Sequence, residues 1–371
     1  MIHSKQDRVN SPVQVRTGHA PRIGQDQDAR TAVRRYAMEL QSPRPRRGER
    51  EKERETRYTN WRGIQPLAAA DLERGFDYED EWNQRFQTLR ADPAVRKGIR
   101  EGLERLERSM AIETGVIEGL YNPTHGVTQT LLREGFRAEH VRRQGVDVEP
   151  EHLVTVLDDH MAAAEMVYAF IREDRPITKH AMRELHAQIT AHQETHNAVD
   201  MLGRRVQRRL RRGVWKDFPN NPTRPDGTVH LYAPPEQVDP QLDLLLDLYG
   251  AYESAQHPLL TGAWMHHRFI QVHPFADGNG RTGRVLLNWH LVRNGWPPIL
   301  VHRQDRNAYL YAMQQADADD LSVLTDFLIA MARKSIRVVM ADFPVEERMG
   351  VLGPDDPDYV YRKEDGWRNG V

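Results

Sequence analysis

The chain has no cysteine among its 371 residues. Disulfide staples and thiolate metal centres are therefore excluded, and a reducing compartment such as the cytoplasm is the expected home. Hydrophobic residues are also scarce, at 39%, of which aromatics make up 8% of the chain. Mean hydropathy is -0.72. No apolar run approaches the roughly 18 residues that a membrane-spanning helix needs. The opening residues MIHSKQDRVN lack the apolar centre of a secretory signal. Export by a route that reads the basic head is an open alternative. A net charge of -2 argues against a general nucleic-acid binder.

That charge is unevenly spread. Residues 1–60 carry a net +6, and the remaining 311 carry a net -8. The head also includes QSPRPRRGEREKERETR, which has almost no large apolar side chains. Residues 1–57 are therefore expected to be a disordered basic head, because such a segment cannot bury enough surface to offset its ordering entropy. Order is expected to begin near Tyr58–Trp61, with an N-terminal helical region over 58–149, a second domain over 150–340 and a polar C-terminal tail over 341–371.

Helical periodicity dominates the ordered part. Val95, Ile99, Leu103, Leu106 and Met110 recur at spacings of four, four, three and four, which is one apolar stripe of an amphipathic helix. That helix is expected over about 95–120, through ETGVIEG, with YNPTHG as the break. Two more helices are expected over 150–172 and 178–196. Others should cover about 238–254, 258–271, the stretch after Gly280, and 306–338. The stretch GVWKDFPNNPTRPDGTVHLYAPP, residues 213–235, has aromatic and β-branched ends around Asn, Pro and Asp-Gly. A β-hairpin with a long tip is expected there, with Lys216 as a substrate contact. The fold class expected is mostly α, a helical bundle with one hairpin.

The chemistry concentrates in HPFADGNGRTGR, residues 273–284. Pro274 stops the preceding helix, and RVLLNWHLV is a helix again, so DGNG stands at a helix N-terminus. Free N–H groups and the positive end of the dipole favour an anion there. Gly278 and Gly280 permit close approach of backbone to ligand, and Asn279 adds side-chain donors. Arg281 and Arg284 supply charged forks suited to phosphate. Asp277, an acid beside a phosphate cradle, reads as a Mg²⁺ ligand. His273 is the one base in the run that is neutral near pH 7. Phe275 reads as the core anchor of this nucleotide-binding loop. The ensemble suits metal-assisted attack on a nucleotide phosphate.

HPFADGNGRTGR resembles the Fic family signature, HxFx(D/E)GNGRxxR, at every fixed position. The resemblance extends over about 108–335 and implies a helical Fic fold with the hairpin as a flap over the active site. It further implies transfer of AMP from ATP, with Mg²⁺, to a Ser, Thr or Tyr hydroxyl of a target protein. His273 would deprotonate that hydroxyl, and Asp277 would hold Mg²⁺ on the α and β phosphates. Gly278, Asn279 and Gly280 would form the anion hole, with Arg281 and Arg284 on the β and γ phosphates. Tyr309 and Asp317 fall where the family builds its adenine and ribose pocket, although core packing and surface charge explain them equally well. The kinase-like branch of the superfamily departs from GNGR, and this chain does not. A homo-oligomer is a further implication. Another nucleotide donor, removal of AMP, or a nucleotide-gated binding protein with little turnover are the alternatives.

ETGVIEG gains meaning beside this motif. Thr114 and Glu118 are i and i+4 on one helix, and with Gly119 they resemble the inhibitory Fic motif (S/T)xxxE(G/N). The resemblance implies that Glu118 pairs with Arg284 in cis and blocks the γ-phosphate position. HQETH, residues 192–196, lacks the order of a zinc protease motif. The basic run RRVQRRLRR, residues 204–212, resembles a nucleic-acid patch, and reads equally as a contact for an acidic target, as a salt-bridge partner of the acidic remainder or as a solvated helix.

Overall fold

The structure is a computed structural model and describes residues 57–142, 146–199, 204–224 and 226–353. The basic head lies outside these residues, apart from Arg57, and so does the tail from 354 onwards. The N-terminal half forms α1 (Ala69–Leu72), α2 (Asp77–Ala91), α3 (Arg96–Ile117), α4 (His125–Glu134), α5 (Ala138–Arg142), α6 (Pro150–Arg172) and α7 (Lys179–Ile189). A two-stranded antiparallel sheet follows, β1 (Thr195–Val199) with β2 (Arg205–Arg209). Helices then return as α8 (Pro235–Glu253), α9 (Pro258–Val272), α10 (Asn279–Arg293), α11 (Arg306–Asp317), α12 (Ser322–Val339) and α13 (Val345–Leu352).

The core is organised around α9. Its residues from Leu259 to Phe269 are all buried, so this helix has no polar face and sits in the middle of the bundle. Helices α8 and α10 pack against it, and α7 and α6 back α10 from the other side. Trp82, Trp264, Trp289, Phe86, Phe269 and Phe275 are fully buried in one contiguous core. The stripe of α3 faces this core through Ile99 and Leu106, while Arg96, Lys97 and Arg100 face outward. Helix α3 crosses α12 closely, because Gly102 lies against the Val339 carbonyl. A smaller core of Ile112, Tyr121, Val127, Leu131, Leu153 and Leu157 lies between the end of α3, α4 and the start of α6.

Helix starts follow local chemistry. Thr178 caps α7 by accepting from Ala181 N at 3.1 Å. His257 caps α9 through Nδ1, with Pro258 at the first helical position. At its far end α9 closes on His273, whose backbone is left-handed (φ 52°, ψ 58°). That conformation is strained for a residue with a Cβ.

Three expectations are corrected here. The segment 213–235 pairs over a shorter span than expected: Thr223 bridges Val229 antiparallel, with Arg224 N donating to the Thr228 carbonyl at 2.8 Å and His230 N to the Pro222 carbonyl at 2.9 Å. A longer hairpin lies earlier, at β1–β2, and absorbs both the end of HQETH and most of RRVQRRLRR. The helix expected over 178–196 stops at Ile189, where Thr190 Oγ1 turns back to the His186 carbonyl at 2.7 Å. The C-terminal stretch also holds a helix, α13, which packs on α2 with Val351 and Leu352 buried.

Candidate active site

The motif forms a loop between α9 and α10, and its shape is set by side chains bonding to its own backbone. Asn279 is 1% exposed. Its amide accepts from Phe275 N at 2.9 Å and donates to the Phe275 carbonyl at 2.8 Å. The donors expected to face a ligand are therefore used internally, and Asn279 is the clasp of the loop. Phe275 inserts its ring into the core, stacked at 3.7 Å on His186. His186 accepts from Gly213 N at 2.8 Å through Nδ1, so its Nε2 carries the proton and donates to the Asp277 carbonyl at 2.9 Å. Burial lowers its pKa to about 4, which keeps this bridge neutral.

Gly278 turns the chain into α10 with φ 77°, and Thr190 and His186 leave little room for a Cβ there. The N–H groups of Asn279, Gly280 and Arg281 then have no carbonyl partner within the helix, which creates an anion-binding end. Arg281 is 2% exposed, and burial lowers its pKa. Its Nη2 donates to Gln193 Oε1 at 2.6 Å, while its Nε has no partner. Gln193 Nε2 in turn donates to Asp277 Oδ2 at 2.7 Å, and Asp277 Oδ1 accepts from Gly278 N at 2.7 Å. Gln193 thus bridges the acid and the first arginine.

The expected partner of Arg284 is present. Arg284 Nη2 lies 2.7 Å from Glu118 Oε1. Thr114 completes the contact, its Oγ1 accepting from Arg284 Nε at 3.0 Å and Nη2 at 2.8 Å. The Glu118 carboxylate also lies directly over Gly280, where a Cβ would overlap it. One carboxylate therefore occupies both the helix N-terminus and the second arginine. Arg284 Nη1 remains a buried donor without a partner.

The end of α3 is held in that position by contacts that the motif does not reveal. Arg306 Nε donates to the Ile117 carbonyl at 2.9 Å, and Gly119 turns the chain with φ 71°. One turn earlier, the buried Glu113 accepts from Arg303 N at 2.7 Å and from Arg303 Nη2 at 3.1 Å. These two arginines stand on the turn into α11, far along the chain from α3.

His273 ends α9 at the start of the loop, with its ring stacked on Tyr232 at 3.7 Å. Burial, aided by the nearby Lys216 charge, pushes its pKa well below 6.5. Its Nδ1 is buried, which leaves Nε2 as the nitrogen that can meet a substrate. Lys216 does not reach outward as expected. It is 5% exposed, its ammonium donates to Asn220 Oδ1 at 2.9 Å, and burial lowers its pKa to about 7. Tyr309 is also buried. Gly283 accepts from His266 Nδ1 at 3.0 Å, so the Tyr309 hydroxyl donates to His266 Nε2 at 2.8 Å. Asp317 pairs with Arg224 at 3.0 Å and His267 at 3.1 Å, and those partners hold its pKa down against burial. His192 Nδ1 binds Asp159 at 2.8 Å, and His196 lies on β1 rather than on a shared helix face. The residues that sequence reasoning missed are His186, Gln193, Glu113, Arg303 and Arg306, all joined to their partners over long chain separations.

Residues 176–291 match the Fic/DOC family. Over 113 residues the chain is 33% identical to "Protein adenylyltransferase Fic" of Nematostella vectensis, covering 30% of this chain and 26% of that protein. Over 89 residues it is 35% identical to the protein of the same name from Drosophila willistoni, covering 24% of this chain and 18% of that one. The chain thus spans about a quarter or less of the length of these curated relatives. A Fic domain-containing signalling protein from Bacteroides thetaiotaomicron shares the fold, with a TM-score of 0.58, 23% identity, and coverage of 71% and 96%. Fic-1 from C. elegans superposes with a TM-score of 0.52 at 22% identity, covering 71% of this chain and 69% of that one.

Proposed function

We propose that this chain, which carries a Fic domain over residues 176–291, is a protein adenylyltransferase that Glu118 holds at rest in cis. The observation that carries the reading is the convergence on one helix end. Glu118 sits over the N-terminus of α10 and on Arg284, Gln193 ties Asp277 to Arg281 beside it, and His273 opens the loop that leads there.

The reaction follows from that layout. A target Ser, Thr or Tyr oxygen attacks the α-phosphorus of ATP in line, and the bond from that phosphorus to the bridging oxygen of the β-phosphate breaks. Pyrophosphate leaves, and the hydroxyl proton passes to His273 Nε2, which is unprotonated at neutral pH. The free N–H groups of α10, with the spare donors of Arg281 and Arg284, stabilise the phosphate oxygens. Catalysis here is mainly positioning, which suits a loop clasped by Asn279 and His186.

The residues fit Mg²⁺. Among the described residues no group of three or more His, Asp or Glu side chains could hold an ion alone. Asp277 offers one carboxylate, which is the number expected when nucleotide phosphates supply most of the coordination. When bound, the ion neutralises phosphate charge. The domain layout proposed is an inhibitory helix within 58–149, a Fic domain over 150–340 and a C-terminal segment over 341–371.

ATP labelled at the α-phosphate tests the reading. The Glu118→Gly form should transfer that label to protein, and should transfer nothing from the γ-phosphate. Transfer of the γ-label would overturn nucleotidyl transfer in favour of a kinase.

A further inference from the structure

The β1–β2 hairpin projects at one side of the nucleotide loop and is wired to it. Gln193, two residues before β1, binds both Asp277 and Arg281. Arg212, three residues after β2, donates to the Gln193 carbonyl at 3.3 Å, and Leu210 N donates to the Glu194 carbonyl at 2.8 Å. The hairpin is therefore tied by hydrogen bonds to the acid and the arginine that would handle the nucleotide.

Its surface is unusual in charge. The run RRVQRRLRR holds six arginines and no acid. The register places Thr195 opposite Arg209, Asn197 opposite Gln207 and Val199 opposite Arg205, all on the more exposed face. Arg205 and Arg209 form no ion pair among the described residues. On the opposite, less exposed face the guanidinium of Arg208 lies 4.7 Å over the ring of Phe218, which is 58% exposed. Arg211 is matched by Asp217 at 2.6 Å. Among the described residues the sheet has two strands; on β1 the outward carbonyls of Thr195 and Asn197 accept from Gln193 Nε2 and His196 Nδ1, each at 3.1 Å, so the edge open to a further strand is that of β2.

We propose that this face is the docking surface for the target and that the target segment is extended and acidic. The inference rests on the adenylyltransferase reading and adds the chemical class of the protein substrate. An unpaired strand edge takes an extended chain through backbone bonds, whatever its sequence. Arg205 and Arg209 then select for charge. They stand four residues apart, roughly 13 Å along an extended strand, so carboxylates at positions i and i+4 of the target meet both. A single-stranded nucleic acid is the competing ligand, but one exposed ring gives little stacking platform along the strand.

Ten-residue peptides test this, each with one Thr and with Glu, Gln or Lys at i and i+4 of an otherwise fixed sequence. Binding to the full chain is read by fluorescence anisotropy, and AMP transfer is read separately in the Glu118→Gly form. The Glu peptide should bind at least tenfold tighter than the Lys peptide at about 50 mM salt, and the gap should narrow as salt screens it. Arg205→Glu with Arg209→Glu should reverse the order, with the melting temperature unchanged. Equal binding of the three peptides, or an order unmoved by the double reversal, overturns the proposal. So does a single-stranded 20-mer RNA that displaces the Glu peptide and binds tighter than it. If the Glu peptide binds selectively and no peptide receives AMP, the adenylyltransferase reading fails while the acidic docking surface stands.

Discussion

Glu118 Oε1 lies 2.7 Å from Arg284 Nη2 while its carboxylate covers Gly280 at the start of α10. The two contacts make the glutamate a mimic of an anionic ligand. It supplies negative charge to a helix N-terminus and a partner to an arginine, which is what a terminal phosphate would do. Thr114 fixes Arg284 for this purpose through its hydroxyl. Bound nucleotide must therefore displace the carboxylate or place its last phosphate elsewhere.

On the proposed reading His273 is the base, and its surroundings suit work at neutral pH. Burial keeps His273 unprotonated, with its pKa well below 6.5. In the Glu118→Gly form, kcat/KM for transfer should stay flat from pH 8 down to 6.5 and decline only below it. A half-maximal point at or above pH 6.5 contradicts this. His273→Ala should lower transfer at least a hundredfold while ATP binding, read by calorimetry, persists.

Gln193 is a positioning residue between Asp277 and Arg281. Gln193→Ala frees both side chains and should lower kcat/KM by about tenfold, with stability changed by no more than about 1 kcal/mol. Transfer kinetics and a denaturant titration separate the two effects. An unchanged rate would show that the bridge plays no part.

The close crossing of α3 and α12 depends on Gly102, where a Cβ would overlap the Val339 carbonyl. The obstacle is backbone on both sides, so relief requires the helices to part. Gly102→Ala should cost about 2–3 kcal/mol, measured by the denaturant midpoint. A loss below about 0.5 kcal/mol would show that the helices part freely.

Acid should destabilise the fold through its buried histidines. His186 and His290 have pKa values lowered to about 4, and His266 to about 3, in each case chiefly by burial. An unfolded histidine titrates near 6.5, so below that pH the unfolded chain binds more protons than the folded one. Stability should be level above pH 7 and fall as the pH drops from about 6.5 toward 4. Between pH 7.5 and pH 5 the loss should reach at least about 2 kcal/mol in urea unfolding. Equal midpoints at those two pH values contradict it.

Much of this was legible in sequence, and the failures have physical reasons. The stripe from Val95 to Met110 announced α3, and the motif announced the α9–α10 turn, because both signals are local. The pairing of Thr114 and Glu118 with Arg284 was legible only through two motifs read together. Val229, Leu231 and Tyr232 after Asp-Gly carry the usual strand signs, but the pairing there is short, and the longer hairpin at β1–β2 went unread. In β1 and β2 the inward positions are His196, Ala198, Val206 and Arg208, which give almost no apolar alternation. The stop of α7 at Ile189 uses the Thr190 hydroxyl instead of glycine or proline. Asn279 looked like a ligand donor because nothing local shows that Phe275's backbone takes both ends of its amide. The residues that fix the site from afar, His186, Arg303 and Arg306, carry no spacing signal at all.

The restraint is tested most directly by comparing AMP transfer from α-labelled ATP in three full-length forms: the unaltered chain, Glu118→Gly, and Glu118→Gly with His273→Ala. The account predicts low incorporation in the first, at least tenfold more in the second, and none above background in the third. Equal incorporation by the unaltered chain and Glu118→Gly, with ATP bound equally well by both, would contradict it.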